Sequence, residues 1–305
     1  MEDPAPDLAL AVDIGGTKLA VGLVDGRGAL VWGPTVAPTP RHDGDALWAA
    51  LTRLVAEAVD AAPATGAGPV VVCGVGCGGP MSRGGTAVSP LNIPGWRAFP
   101  LRDRLGALVG LPVAVDNDAK ALALGEGWVG AAAGRSSFLA MVVSTGVGAG
   151  IVLDGRLLDG DGGNAGHLGH VVVEPDGRPC ACGGRGCLEA EASGPSIEAA
   201  TGRPAAEATP EVVARTGRLV GRAVADAVVL LDLHLAVVAG SVALGFGAPF
   251  FAAAQEELER RARLSFARGA RIVPAGLGPA GPLVGAAAVG WRHLGRLPVA
   301  PGGEG

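Results

Sequence analysis

Four side chains near the middle of the sequence make up a set of metal donors. His170, Cys180, Cys182 and Cys187 offer one imidazole and three thiolates, and three of the five cysteines fall between positions 180 and 187. A lone cysteine reads as a small buried apolar side chain. Three of them beside a histidine read as a closed tetrahedral zinc site, and Gly183, Gly184 and Gly186 let a short loop wrap the ion. A closed shell leaves no position for a substrate, so this zinc is expected to shape its surroundings and do no chemistry. It would fix the ring of His170, whose other nitrogen is left to face a ligand.

A second group of residues suits phosphate. Asp13-Ile14-Gly15-Gly16-Thr17-Lys18 lies between two apolar runs, so a strand follows it, which excludes both a Walker loop and a dinucleotide fingerprint. The tip still offers the backbone N–H groups of Gly15 and Gly16, the Thr17 hydroxyl and the Lys18 charge, and Asp13 can hold magnesium. Ser144 to Gly150 repeats the chemistry with Thr145, Gly146 and Gly148. Two such tips form a clamp for a triphosphate. Gly240, at a later strand end, admits the flat face of a nucleotide.

Asn117-Asp118 closes an apolar strand and opens a helix. Either residue can cap that helix, and capping coexists with function because a strand-end carboxylate faces a cleft. Phosphoryl transfer to an alcohol needs a carboxylate that takes the hydroxyl proton, and Asp118 is the candidate. Asn92, Asn117, His167, His170 and Glu189 would hold the other hydroxyls of a polyol.

The elements that must position these residues follow from hydrophobic periodicity. The first two apolar runs, 8–13 and 19–24, and a third strand at 29–36 form a meander. A helix is expected at 45–61, a strand at 69–75, a helix at 101–109, a strand at 112–115 and a helix at 119–129. The second half offers strands at 137–144 and 150–153, a helix at 217–231, a strand at 235–239, and helices at 252–266 and 285–294. The order β-β-β-α-β-α-β-α thus occurs twice, each copy opening on a hairpin with a glycine-rich tip. The tail from Pro298 is expected to be disordered.

Bulk properties exclude other classes. A length of 305 residues with 49% hydrophobic content supports two domains or one large one. The net charge of -5 shows no basic footprint for nucleic acid. No apolar run of about 18 residues predicts a membrane span. The acidic start, Met1-Glu2-Asp3-Pro4, lacks the form of a signal peptide, so a reducing, cytoplasmic location is expected. Cys73 and Cys77 read as core.

Taken together, these segments resemble the ROK family of repressors and sugar kinases, within the hexokinase and actin class of ATP-binding folds. The resemblance runs from Asp13 to the last helix. It rests on Asp13 to Lys18, Leu91-Asn92-Ile93-Pro94-Gly95-Trp96, Asn117-Asp118-Ala119, Ser144 to Gly148, and above all on His170 with Cys180-x-Cys182-x4-Cys187-x-Glu189. It implies an α/β protein with a two-domain actin/hexokinase-like ATPase fold, built from ribonuclease H-like repeats, with a hinge cleft and a zinc loop at 170–187. The smaller N-terminal domain, 1–116, would be completed by a C-terminal helix at 285–297, and residues 117–284 would form the larger one. It further implies ATP with magnesium as phosphoryl donor, structural zinc, Asp118 as general base, sugar contacts from Asn92, Asn117, Asp118, His170 and Glu189, and a homodimer or homotetramer.

Two departures bear on specificity and on the helix after Asp118. Glucokinases of the family carry glutamate where this chain has His167, whereas bacterial N-acetylmannosamine kinases share Ala-Gly-His-x-Gly-His. The segment from Pro90 to Trp96 is more like the glucokinase version. An imidazole offers one donor and one acceptor where a carboxylate only accepts, so His167 is expected to change which ring substituent is welcome. Glucose and N-acetylmannosamine are the leading substrates, phosphorylated at the 6-hydroxyl, with a cyclitol as the alternative. A sugar-responsive regulator of the same family is the competing class, disfavoured by the early first strand and the negative charge. The second departure is Lys120, where the family has Asn or Gln; it is expected to be a solvated side chain.

Overall fold

The computed structural model describes residues 5–297. Contacts gather these into two compact units. The first holds residues 5–134, 157–165 and 276–297, and the second holds 135–156 and 166–275. The first unit therefore takes the helix after Asp118 and the 157–165 segment, beyond the boundary expected at 116. The acidic start and the tail from Pro298 lie outside the described residues.

In the first unit the chain forms β1 (Leu8–Ile14), β2 (Lys18–Asp25), β3 (Leu30–Pro38), α1 (Gly44–Ala61), β4 (Val70–Cys77), α2 (Leu101–Val109), β5 (Val113–Asn117) and α3 (Asp118–Val129). The second unit follows with β6 (Phe138–Val143), β7 (Val147–Leu153), a two-residue β8 (Arg156–Leu157) whose second residue already counts to the first unit, α4 (Leu188–Ala192), α5 (Gly194–Thr201), α6 (Pro210–Leu231), β9 (Leu235–Ala239), α7 (Ser241–Phe246), α8 (Ala248–Arg261) and β10 (Arg271–Pro274). The last helix, α9 (Gly281–His293), returns to the first unit.

The first sheet runs β3-β2-β1-β4-β5 and the second, read from its other edge, β8-β7-β6-β9-β10. The two orders are the same, so the doubled pattern read from sequence is a doubled topology. β1 carries an unbroken apolar run from Leu8 to Val12, all buried, as befits a central strand covered on both faces. One face packs against α1, through Leu47, Leu51, Leu54 and Val55. The other face is covered by α9 through Leu283, Ala286, Ala287 and Trp291. Asp43 starts α1 by accepting hydrogen bonds from the Asp45 and Ala46 amides.

Helices α3 and α9 meet through glycines. A side chain on Gly285 would lie 2.6 Å from the Ala121 carbonyl, and one on Gly125 would lie 3.0 Å from the Gly285 Cα. That contact sets the helix bearing Asp118 directly against the C-terminal helix. Cys73 and Cys77 are buried core residues, as read from the sequence. No helix among the described residues is long and apolar enough to cross a membrane.

Several bounds differ from the expectations. α6 begins at Pro210, ahead of the expected 217, because Pro210 opens the helix in its first turn, where its missing N–H costs nothing. α8 spans Ala248–Arg261, with Pro249 in its first turn, where 252–266 was expected. β10 was not anticipated.

Candidate active site

Three parallel strands end together in the first unit. Asp13 of β1 pairs with Gly76 of β4, which pairs with Asp116 of β5; one position on, Ile14, Cys77 and Asn117 are in register. Asp13, near the carboxyl end of β1, and Asp118, just past that of β5, therefore flank β4 at the strand ends where open α/β sheets take their ligands. Gly76 separates them: a Cβ there would stand 3.7 Å from Asp13 Oδ1 and 3.7 Å from the Asp118 Cα. Burial, and then the charge of Asp118, push the Asp13 carboxyl up to about 7, against the opposing pull of Lys18. Asn117 caps α3, its Oδ1 accepting from the Ala119 amide at 3.0 Å, and Asp118 Oδ1 accepts from the same amide at 2.8 Å. The cap and the strand-end carboxylate are thus adjacent residues.

The β1–β2 tip is a closed turn. The Gly15 amide donates to the Lys18 carbonyl at 3.0 Å, and Thr39 grips the tip from the side, its hydroxyl donating to the Gly15 carbonyl at 2.8 Å. Thr17 and Lys18 are exposed. A cavity of about 470 Å³ opens beside the tip, lined by Gly16, Thr17, Thr39, Pro40, Arg41, His42 and Asp43. Asn92 lies over the same tip, since a Cβ on Gly16 would come 2.7 Å from that of Asn92. The first unit thus gathers Asp13, Gly15, Gly16, Thr17, Lys18, Asn92, Asn117 and Asp118 around the ends of β1 and β5.

Lys120 overturns its expectation. It is 2% exposed, and its Nζ donates to Asp159 Oδ1 at 2.7 Å and to the Gly163 carbonyl at 3.2 Å while pairing with Asp116 at 3.2 Å. Its side chain is directed at the 157–165 segment, and not at solvent. Burial raises the Asp116 carboxyl, with Lys120 opposing. Burial acts on Asp159 in the same sense, but Lys120 and then Arg292 hold it below its ordinary value.

The second unit repeats the tip. The Ser144 amide donates to the Gly146 carbonyl at 2.9 Å, closing the turn between β6 and β7 over Thr145 and Gly146, with Gly148 just inside β7. Gly240 ends β9 at φ +101, a conformation only glycine takes readily. The next residue, Ser241, sets its hydroxyl 2.8 Å from that of Ser144. Neither serine is among the site residues expected from the sequence. Their pairing joins the tip to the end of β9.

His167 and His170 stand with ring centroids 5.9 Å apart. Glu189 opens α4 and accepts the Val147 amide at 2.8 Å, which fastens it to the base of the β6–β7 tip. The donor atoms of His170, Cys180, Cys182 and Cys187 all lie within 4.8 Å of one another. His170 Nδ1 is 3.7 Å from Cys180 Sγ, and the Sγ atoms of Cys182 and Cys187 are 3.7 Å apart. Zinc–sulfur bonds of about 2.3 Å in a tetrahedron put sulfurs about 3.8 Å apart, so the cluster fits that ion. Burial, then the neighbouring sulfurs, push the Cys187 thiol up to about 12, the condition a bound cation would reverse.

Two sheets of one topology, each opening on a glycine-tipped hairpin, define the actin-like ATPase fold. Within that class the chain belongs to the ROK family, whose sequence model matches residues 9–292. It is 36% identical over 256 residues to an N-acetylmannosamine kinase of Yersinia pestis (strain Pestoides F), covering 78% of this chain and 84% of that one. Among solved structures it is similar to the ROK hexokinase from Thermus thermophilus, at 34% identity and TM-score 0.80, covering 94% of this chain and 99% of the other. It is also similar to a ROK family glucokinase from Streptomyces griseus, solved with glucose and AMPPNP, at 31% identity and TM-score 0.81, with 93% and 99% covered.

Proposed function

We propose that the protein is an ATP-dependent carbohydrate kinase that phosphorylates the 6-hydroxyl of a hexose or an N-acylhexosamine. The observation that carries the reading is the convergence of Asp118, Asp13 and the Gly15–Lys18 tip at the ends of β1 and β5 in a ROK chain. Asp118 takes the proton of the sugar hydroxyl as its oxygen bonds to the γ-phosphorus. The bond from that phosphorus to the β,γ-bridging oxygen breaks, and ADP leaves. Asn92, Asn117, His167, His170 and Glu189 hold the remaining hydroxyls. The amides of the two tips, with Thr17, Lys18 and Thr145, hold the phosphates, and Gly240 lets the nucleoside approach.

Asp13 fits a magnesium ion, because burial and the nearby Asp118 charge raise the cost of its own charge and a cation would remove that cost. Magnesium held there would supply positive charge against the transferring phosphate. Zinc on His170, Cys180, Cys182 and Cys187 would order the loop that leads into Glu189. The thiolates it needs are in keeping with a reducing, cytoplasmic setting.

His167 favours N-acetylmannosamine over glucose, since an imidazole can donate to an acyl carbonyl where a glutamate could only accept. The test is ADP release at saturating Mg-ATP with glucose, N-acetylglucosamine and N-acetylmannosamine compared side by side. Preference for N-acetylmannosamine ties His167 to selection. Preference for glucose gives that role to the Asn92 to Trp96 segment. Turnover with a cyclitol and none of the three removes the hexose reading. No ADP release with any alcohol removes the kinase reading.

A further inference from the structure

Four charged side chains of the first unit form a closed ring that alternates in sign. Lys120 Nζ lies 2.7 Å from Asp159 Oδ1 and 3.2 Å from Asp116 Oδ1. On the other side of both carboxylates, the Arg292 guanidinium lies 3.1 Å from Asp159 Oδ2 and 3.6 Å from Asp116 Oδ2. Each acid thus gives one oxygen to the lysine and the other to the arginine. The four residues come from three places in the chain: the β5–α3 junction, the 157–165 segment and the end of α9.

The two acids each border a stretch with chemistry. Asp116 immediately precedes Asn117-Asp118, and its Oδ1 also accepts the Asn117 amide at 2.8 Å. Asp159 lies in the segment that runs directly into Gly166 and His167. That segment is closed on itself, the Ala165 amide donating to the Asp159 carbonyl at 3.0 Å. Lys120 adds a bond to the Gly163 carbonyl, and Asn164 holds the Met81 backbone, accepting at 3.3 Å and donating at 3.2 Å.

Charge burial of this kind adds little net stability, because desolvation offsets the attraction; a methionine of similar length would fill the same space. What the ring supplies that an apolar contact would not is a single geometry, since each donor meets a fixed oxygen. We infer that Lys120 is a positioning residue, and that the Lys120–Asp116–Arg292–Asp159 ring holds the Asn117-Asp118 turn in register with the segment that delivers His167. The inference deepens the kinase reading and rests on it for its effect on turnover. It makes Lys120 a determinant of how the sugar is held.

The test uses the full chain with two substitutions, Lys120→Met and the milder Asp159→Asn, whose side chain is 44% exposed. Hydrogen exchange by mass spectrometry reads the coupling without any substrate. In both variants residues 157–165 should lose protection, together with the amides at the start of α3. Kinetics then read the positioning: kcat should fall about tenfold, and KM for the sugar should rise severalfold while KM for ATP stays at the wild-type value. The double variant should be no worse than the more affected single one, as members of one network are not additive. Retained protection over 157–165 in both variants overturns the inference, whatever happens to kcat. So does additivity, or a loss of thermal stability with kcat and both KM values unchanged. Should the wild-type protein release no ADP with any alcohol, the kinase reading fails, and the exchange experiment still decides whether the ring couples the two segments.

Discussion

Helix α3 carries a carboxylate of opposite fortune at each end. At its start, Asp118 stands beside Asp13 across the side-chain-free Gly76, and each charge raises the cost of the other. Near its end, Glu126 is fully buried, yet three backbone amides meet it: Ala131 and Gly276 donate to Oε2 at 2.7 and 3.0 Å, and Leu277 donates to Oε1 at 3.1 Å. Those amides come from the two stretches flanking the points where the chain passes between units. Burial alone therefore does not mark a functional carboxylate. At Glu126 three backbone donors compensate the charge, whereas at Asp13 burial and the neighbouring Asp118 charge raise the carboxyl against the pull of Lys18.

The sharpest way to break this contrast is to exchange charge at each end. Asp118→Asn retains a side-chain oxygen for the Ala119 amide, so the fold and sugar binding should survive. Turnover should fall by at least about a hundredfold, the scale for losing a general base. Near-normal turnover would remove Asp118 from the role. Glu126→Gln should do the reverse. An amide nitrogen would be forced against backbone donors, and stability should drop by about 2–3 kcal/mol, the scale for hydrogen bonds to a charged acceptor. Urea unfolding reads that loss, with kcat expected to stay within a few-fold of wild type. A variant with unchanged stability and crippled turnover would mean that Glu126 belongs to the site.

The cysteine loop extends the comparison, since there too groups that become negative when ionised are crowded together, the donor atoms of His170, Cys180, Cys182 and Cys187 lying within 4.8 Å of one another. Zinc analysis of the purified chain should find about one ion per molecule, lost in Cys182→Ser along with several degrees of thermal stability. Cys182 is exposed, so the serine itself creates no cavity, and the loss would report the ion. Full stability and full sugar binding in a metal-free variant would show that the four donors hold nothing.

Much of this was legible from the sequence, for identifiable reasons. The cysteine cluster and both hairpin tips are local: their partners lie within a few residues, so spacing alone reveals them. The doubled topology was readable because β1 and β6 carry continuous apolar runs, Leu8 to Val12 and Phe138 to Val143, and β4 opens on one, Val70 to Cys73. β10 was not, since Arg271-Ile272-Val273-Pro274 has only two apolar β-formers between a charge and a proline. Lys120 was misread, and Glu126 passed over, for a different reason. The partners of Lys120 lie at 159 and 163, and those of Glu126 include 276 and 277. Periodicity on α3 can say which way a side chain points, but not that another segment has been brought there to receive it. Among polar residues, burial was the property least accessible to local reading.

The smallest expected effect tests the acid-against-acid half of the contrast directly. Burial, and then the Asp118 charge, push the Asp13 carboxyl up to about 7 in the folded chain, against 3.8 for an ordinary aspartate. A raised acid means that folding takes up a proton between those values, so the contribution of Asp13 to stability is lost as pH climbs from about 4 to 7 and is level above that. Asp13→Asn mimics the protonated form. Without nucleotide it should melt higher than wild type at pH 8, and the difference should close as pH falls toward 4. Asp13 keeps partial contact with solvent, which damps the difference to a few degrees. Magnesium and ATP should erase it, because a cation beside Asp13 substitutes for the proton and favours the charged form only in the wild type. An Asp13→Asn protein that melts lower than wild type at pH 8 without nucleotide would mean that Asp13 already has its donors, as Glu126 does, and that the two ends of the comparison are the same.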